Sequence, residues 1–173
     1  MLSKKKWRFA FVVIMALSNI TCGFGFLGFN NENFTKIKPE PEQMAGIYVP
    51  TEKTEKLIKS QYNLDTKDIS IYLYPDGAFE MNNMPDWWAT DFGDSNGGVD
   101  TGKGKWDIDF DDSNGEYWEL FLDFETGTFS SGEMFSTWIN IANNQPPYSL
   151  WFYIGPDGPL IMIFEQVIED PQQ

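Results

Sequence analysis

The chain has 173 residues, with 26 acids against 12 lysines and arginines, a net charge of −14, one cysteine and no histidine. Without histidine there is no Ser-His-Asp or Cys-His catalytic unit and no zinc site of the usual His/Cys kind. One cysteine excludes an intramolecular disulfide, and so acidic a surface repels nucleic acid.

The N-terminus has three zones. Lys4, Lys5, Lys6 and Arg8 form a cationic start, Phe9 to Ile20 is an apolar run, and Thr21-Cys22-Gly23 follows. A charged start, a short apolar middle and a small-residue cut site make a signal peptide over 1–21. The apolar run falls short of the about 20 residues that a membrane span needs. Cys22 stands where bacterial lipoproteins carry their acylated cysteine, with Asn19 and Thr21 where that family favours Leu and Gly, Ala or Ser. The resemblance implies export, lipid on Cys22 and a cell-envelope address, membrane-anchored and facing away from the cytoplasm. Four of the 12 cations lie in the leader, including the sole arginine, Arg8. The remainder is therefore more acidic still and has no guanidinium fork for carboxylate or phosphate.

Residues 22–43 read as a lipidated tether. Glycines and phenylalanines alternate to Phe29, a polar stretch follows, and Pro39-Glu40-Pro41-Glu42 is extended. A single β domain is expected over 44–173. Aromatics make up 17% of the chain, far more than a disordered acidic segment carries, so the acidity belongs to the surface of a packed domain.

Met44 to Val49 reads as the first strand, stopped by Pro50. Thr51 is a suitable N-cap for one short helix over 52–62: Glu52 and Glu55 suit its positive end, and Leu57, Ile58 and Tyr62 share a face. The rest is strand. Ile69, Ile71 and Leu73 oppose Ser70, Tyr72 and Tyr74; Pro75-Asp76-Gly77 turns; Ala78 to Met81 returns. Trp106, Ile108 and Phe110 alternate with Asp107, Asp109 and Asp111, and Asp112-Ser113-Asn114-Gly115 signals a hairpin. Tyr117 to Phe124, Trp138 to Ile141, Tyr148 to Ile154 and Leu160 to Val167 complete about eight strands. The expected fold is mainly β: an antiparallel up-and-down barrel or curved sandwich with one short helix. The last two strands are apolar on both faces, and the helix over 52–62 is the expected cover for their outer side.

Gly46-Ile47-Tyr48 at the start of the domain, the meander and the anchor resemble the lipocalin-like barrels of small bacterial lipoproteins. Met84-Pro85-Asp86-Trp87-Trp88, Gly104-Lys105-Trp106 and Pro147-Tyr148-Ser149-Leu150-Trp151-Phe152-Tyr153-Ile154-Gly155 resemble stretches of secreted bacterial proteins. The resemblance spans 44–167 and carries no catalytic residue across.

Four chemistries remain. Asp91, Asp94, Asn96 and Asp100 lie in one Gly-rich loop with the oxygen density a calcium ion takes, the one cofactor the pattern admits. Asp107, Asp109, Asp111, Asp112 and Asn114 form a second acidic row, but its register is that of a hairpin and position six lacks the EF-hand glycine. Trp87, Trp88 and Trp118, with Trp138 and Trp151, are candidates for stacking on a sugar or peptide, or else core. Asp86, Asp91, Glu116, Glu119 and Asp123 are the carboxylates from which a glycan hydrolase would draw its pair. The expected function is non-enzymatic: an anchored binding or structural domain for a protein or small ligand. The alternative partner is a cationic enzyme or toxin that the acidic chain inhibits.

Overall fold

The structure, a computed structural model, describes residues 31–62, 67–85, 98–113, 115–127, 135–154 and 160–168. Contacts divide the chain into Met1–Asn31 and Glu32–Gln173, and the second unit holds the barrel. Its eight strands are β1 Gly46–Pro50, β2 Ser70–Leu73, β3 Ala78–Pro85, β4 Val99–Asp111, β5 Tyr117–Gly127, β6 Phe135–Ala142, β7 Ser149–Ile154 and β8 Leu160–Gln166. Each pairs antiparallel with the next, and β8 returns to β1 through Tyr48↔Gln166 and Val49↔Glu165. The choice between barrel and sandwich thus falls to a closed barrel, compatible with a lipocalin-like fold. Closure removes the free strand edges that invite aggregation.

Period-two patterning builds the walls. Ile69, Ile71 and Leu73 are buried while Ser70 and Tyr72 are partly exposed; Trp106 and Ile108 are buried between exposed Asp107 and Asp109. Gly77 turns β2 into β3 at φ 82°, where a side chain would be strained. The Ala78 N–H donates to Asp76 Oδ1 at 3.0 Å, and Trp106 Nε1 donates to the Tyr74 carbonyl at 3.0 Å, tying β4 to that turn.

An eight-stranded barrel is just wide enough for side chains to fill it. Tyr48, Phe79, Phe152, Phe164, Met81 and Leu122 are among the fully buried side chains that do so, each contributing about 1.5–3 kcal/mol by leaving water. Gly104 makes room for two of them. It pairs with Phe79 on β3 and Phe124 on β5, whose rings meet edge-on at 4.8 Å.

Among the described residues there are two α-helices where one was expected, besides a 3-10 turn at Asn31–Asn33. The short α1, Pro41–Met44, begins on a proline, which suits the first helical turn, and buries Met44 completely. It takes the residue read as the start of the first strand, so β1 begins at Gly46. The second helix, α2, covers Glu52–Tyr62, and Thr51 caps it as expected: the Thr54 N–H donates to Thr51 Oγ1 at 3.3 Å. The Thr51 N–H also donates to the Ile163 carbonyl at 3.0 Å, so α2 starts where β1 leaves β8. Ile58 enters the interior core, with Leu57 packed against it. The outer face of β7 is covered by another segment: Trp151 and Tyr153 pack against Phe34, from the stretch read as tether.

Candidate functional site

Strand register assembles a polar face on the outside of β4, β5 and β6. Asp109 pairs with Glu119, and Glu119 with Asn140, placing the three in one row across the sheet. The row above pairs Asp111 with Tyr117; the row below pairs Asp107 with Phe121 and Phe121 with Trp138. Side chains from these rows, with Phe110 and Ser113, line an open cleft of about 380 Å³. Among the described residues that line it there is no cation.

Hydrogen bonds fix the carboxylates. Asn140 Nδ2 donates to Glu119 Oε1 at 2.9 Å, and Trp138 Nε1 donates to Asp109 Oδ2 at 3.2 Å. Asp109 Oδ1 accepts the Phe110 N–H at 2.8 Å, and Asp111 Oδ1 accepts from the Ser113 N–H at 2.8 Å. Glu119 is only partly exposed. Burial first, then the charges of Asp111 and Asp109, push its carboxyl up from an ordinary 4.5 to about 7. Tyr117 is pushed up to about 12 by burial and by Glu119. One aromatic ring stands at the rim, Trp138, which is 53% exposed; Phe110, 42% exposed, falls on the same face of β4 as Ile108. They rest on Phe121 at 5.1 Å and Trp118 at 4.9 Å respectively.

No family model, curated protein or solved structure matches the chain. The functional reading therefore rests on this geometry.

The sequence-derived sites fare unevenly. Cys22, Asp86, Trp87, Trp88, Asp91, Asp94 and Asn96 lie outside the described residues. Asp100 is on β4 opposite Met84, so one end of the expected calcium loop is strand. Among the described residues, no three His, Cys, Asp or Glu side chains are grouped to hold a metal ion. The second aspartate row is the hairpin's outer face, as its register implied. Asp107 Oδ1 accepts the Ile108 N–H at 2.7 Å, much as Asp109 accepts that of Phe110. Trp118 lies outside the cleft lining and is half-buried, with Lys38 Nζ 5.0 Å from its ring centre.

Among the carboxylates named for hydrolysis, Glu116 sits in the β4–β5 turn at φ 54°, and Asp123 Oδ1 accepts from Ser136 Oγ at 2.7 Å. Glu119 joins a cluster, and its nearest carboxylate partners come from β4 rather than from its own strand. Asn140 was not read as a site residue. Its signal was available in the spacing: Trp138 and Asn140 are two apart on a strand and so share a face. Among the described residues no helix is long and apolar enough to cross a membrane.

Proposed function

We propose that the chain is a non-enzymatic binding domain of a lipocalin-like bacterial lipoprotein, anchored by lipid on Cys22 outside the cytoplasm, and that the outer face of β4–β6 recognises a cationic protein. The carrying observation is the cleft in which Asp109, Asp111 and Glu119 gather beside exposed Trp138, with no cation among the described residues that line it. A carboxylate attracts an ammonium or guanidinium by charge, and an exposed ring attracts it through its π face. The barrel interior is filled by its own side chains, so the outer face is the better candidate. Complementary charge mainly speeds encounter and rejects wrong partners, which suits an inhibitor that needs no catalytic group.

The test uses the full chain in detergent, immobilised and exposed to lysozyme-like cationic enzymes at low salt and at about 0.15 M, where charges are screened beyond roughly 8 Å. Retention at the higher salt, with slower association when Asp107, Asp109 and Asp111 are changed together to Asn, is the expected result. Contacts that vanish at that salt sink the reading. The intact mass of the membrane fraction tests the address: a mature chain without acyl mass removes the lipid anchor.

One observation favours a second reading. A half-buried carboxyl with its pKa near 7 beside another carboxylate is the arrangement by which glycan hydrolases divide acid and base roles. Glu119 would be the acid and Asp109 its partner. Turnover of a cell-wall glycan that Glu119→Gln abolishes would replace the binding reading with this one.

A further inference from the structure

β5 and β6 pair from Phe124↔Phe135 to Glu119↔Asn140 and stop there, although β5 begins at Tyr117 and β6 runs on to Ala142. The two strands part like a fork, and residues 33–36 enter it. Phe34 pairs antiparallel with Ala142. The Thr35 N–H donates to the Ile141 carbonyl at 2.9 Å, the Trp118 N–H donates to the Thr35 carbonyl at 3.0 Å, and the Asn143 N–H donates to the Asn33 carbonyl at 3.1 Å. The segment follows a 3-10 turn over Asn31–Asn33, makes an isolated bridge at Phe34 and is bonded on both sides, filling the wall where β5 and β6 no longer pair.

Each side chain of this strap has its own seat. The Phe34 ring is 2% exposed, with ring centres of Tyr117, Trp151 and Tyr153 at 5.0, 5.7 and 6.3 Å. This cluster is separate from the interior core. Thr35 is fully buried; its hydroxyl lies 2.8 Å from the strap's own Ile37 carbonyl and 3.3 Å from Asn144 Oδ1, the acceptor that lies outside the strap. The Lys36 N–H donates to Asn144 Oδ1 at 2.9 Å. Lys36 Nζ donates to the Gly115 carbonyl and lies 5.6 Å from the Tyr117 ring centre. The next residues, Ile37 and Lys38, are exposed.

We propose that the fork is a peptide-acceptor site, that the strap is its built-in occupant, and that an extended partner segment reading aromatic–hydroxyl–lysine takes the strap's place. Strand addition of this kind draws affinity from backbone hydrogen bonds and specificity from pockets for alternate side chains. The fork supplies both: carbonyl and N–H partners on β5 and β6, a ring-lined pocket, a buried hydroxyl seat and a cation seat on Tyr117. An emptied fork would leave buried backbone groups unpaired, at about 1–3 kcal/mol each, so the strap leaves by exchange with another strand. The competitor faces the strap's own effective concentration, of millimolar order for a short tether. Occupancy from outside is therefore weak until the strap is weakened. The fork shares Tyr117 with the acidic cleft, but strand exchange and recognition of a cationic protein are read by different experiments, so either can fail without the other.

The experiment uses the full chain in detergent and a fluorescein-labelled peptide, Asn-Phe-Thr-Lys-Ile-Lys, copying 33–38. Anisotropy should show Phe34→Ala binding it at least about tenfold tighter than the unaltered chain, as expected when an intramolecular competitor is removed. Thr35→Pro, which deletes the N–H that bonds Ile141, should do the same by a different route. A scrambled peptide of the same composition should bind neither. Equal binding of the scrambled peptide, or no gain in either folded variant, overturns the proposal. A photo-reactive benzophenone in place of the peptide's phenylalanine gives a readout on the unaltered chain. Cross-links to Tyr117, Trp151 or Tyr153 support the fork, and cross-links only elsewhere overturn it.

Discussion

Asp109 and Glu119 are directly paired across β4 and β5, two carboxylates in one row of the sheet, and Asn140 holds Glu119 from the other side at 2.9 Å. Like charges directly opposite each other destabilise a sheet. The conflict eases when Glu119 takes a proton; burial first, then the charges of Asp111 and Asp109, push its carboxyl up to about 7. The row is locally unfavourable, whereas Glu80 on β3 is paired with Lys103. Such a violation of local consistency tends to mark a functional position.

The pH dependence follows in sign. Glu119 has a folded pKa of about 7, above its ordinary 4.5. Its contribution to stability is fully present below about pH 4.5 and is lost as pH rises through 7. Glu119→Gln keeps an acceptor for Asn140 and removes the titration. At pH 8 this variant should be more stable than the parent by about 1 kcal/mol, the figure being reduced because solvent screens the partly exposed carboxyl. At pH 4.5 the two should be nearly equal. Urea midpoints at both pH values measure it; parallel curves would show that Glu119 is not the titrating group.

Thr54 ties α2 to β8. Its hydroxyl donates to the Ile163 carbonyl at 3.1 Å and accepts the Ile163 N–H at 2.8 Å, and the residue is 1% exposed. Thr54→Val keeps the shape and leaves the Ile163 N–H without this partner, while the Ile163 carbonyl keeps the Thr51 N–H. The expected loss is about 1–2 kcal/mol, from leaving one backbone donor unpaired. Thr54→Ser should retain most of the stability. A Val variant with the parent's urea midpoint would mean that water replaces the hydroxyl.

Gly104 has no room for a methyl group. A Cβ there would overlap the Asp123 carbonyl oxygen and come within 2.9 Å of Phe79 Cε1. The β4–β5 register also shifts between Lys103 and Gly104. Relief needs movement of backbone as well as a ring, so Gly104→Ala should cost about 3 kcal/mol. Chemical denaturation of the variant checks this, and a loss below about 1 kcal/mol would show that the bulge adapts.

Most of the barrel wall was legible because period two is imposed by the pleat. Ile69 to Tyr74 and Trp106 to Asp109 could bury only one face each, and the glycine- and proline-bearing turns fixed where the chain reversed. Phe34 was not legible. It sits in a polar stretch with no alternation around it, and its partners Tyr117, Trp151 and Tyr153 come from two distant strands. The doubly apolar β7 showed that something must cover it; the helix over 52–62 was the expected cover, and Phe34 packs on Trp151 and Tyr153 instead. Glu119 was legible as one carboxylate among 26. What sets it apart is register: a shift of one residue in β4 would have placed Phe110 or Ile108 opposite it instead of Asp109.

Trp138 separates recognition from stability. Its ring is more than half exposed, so truncation removes little buried surface. What it loses is the edge of the Phe121 contact and the bond from Nε1 to Asp109 Oδ2 at 3.2 Å. Trp138→Ala should therefore cost the fold under about 1 kcal/mol, as surface substitutions usually do. Binding of a cationic partner at the cleft should suffer more. An exposed tryptophan beside carboxylates is the kind of anchor whose loss costs roughly 1–2 kcal/mol or more at an interface, about tenfold in affinity. Trp138→Phe keeps a ring and loses the N–H, so it distinguishes the two contributions. Near-parental affinity in Phe with a tenfold loss in Ala assigns the effect to the ring. Equal losses in both assign it to the hydrogen bond that orients Asp109. Unchanged affinity in both, measured with the same cationic protein at about 0.15 M salt, would remove Trp138 from the site and leave the carboxylates to act by charge alone.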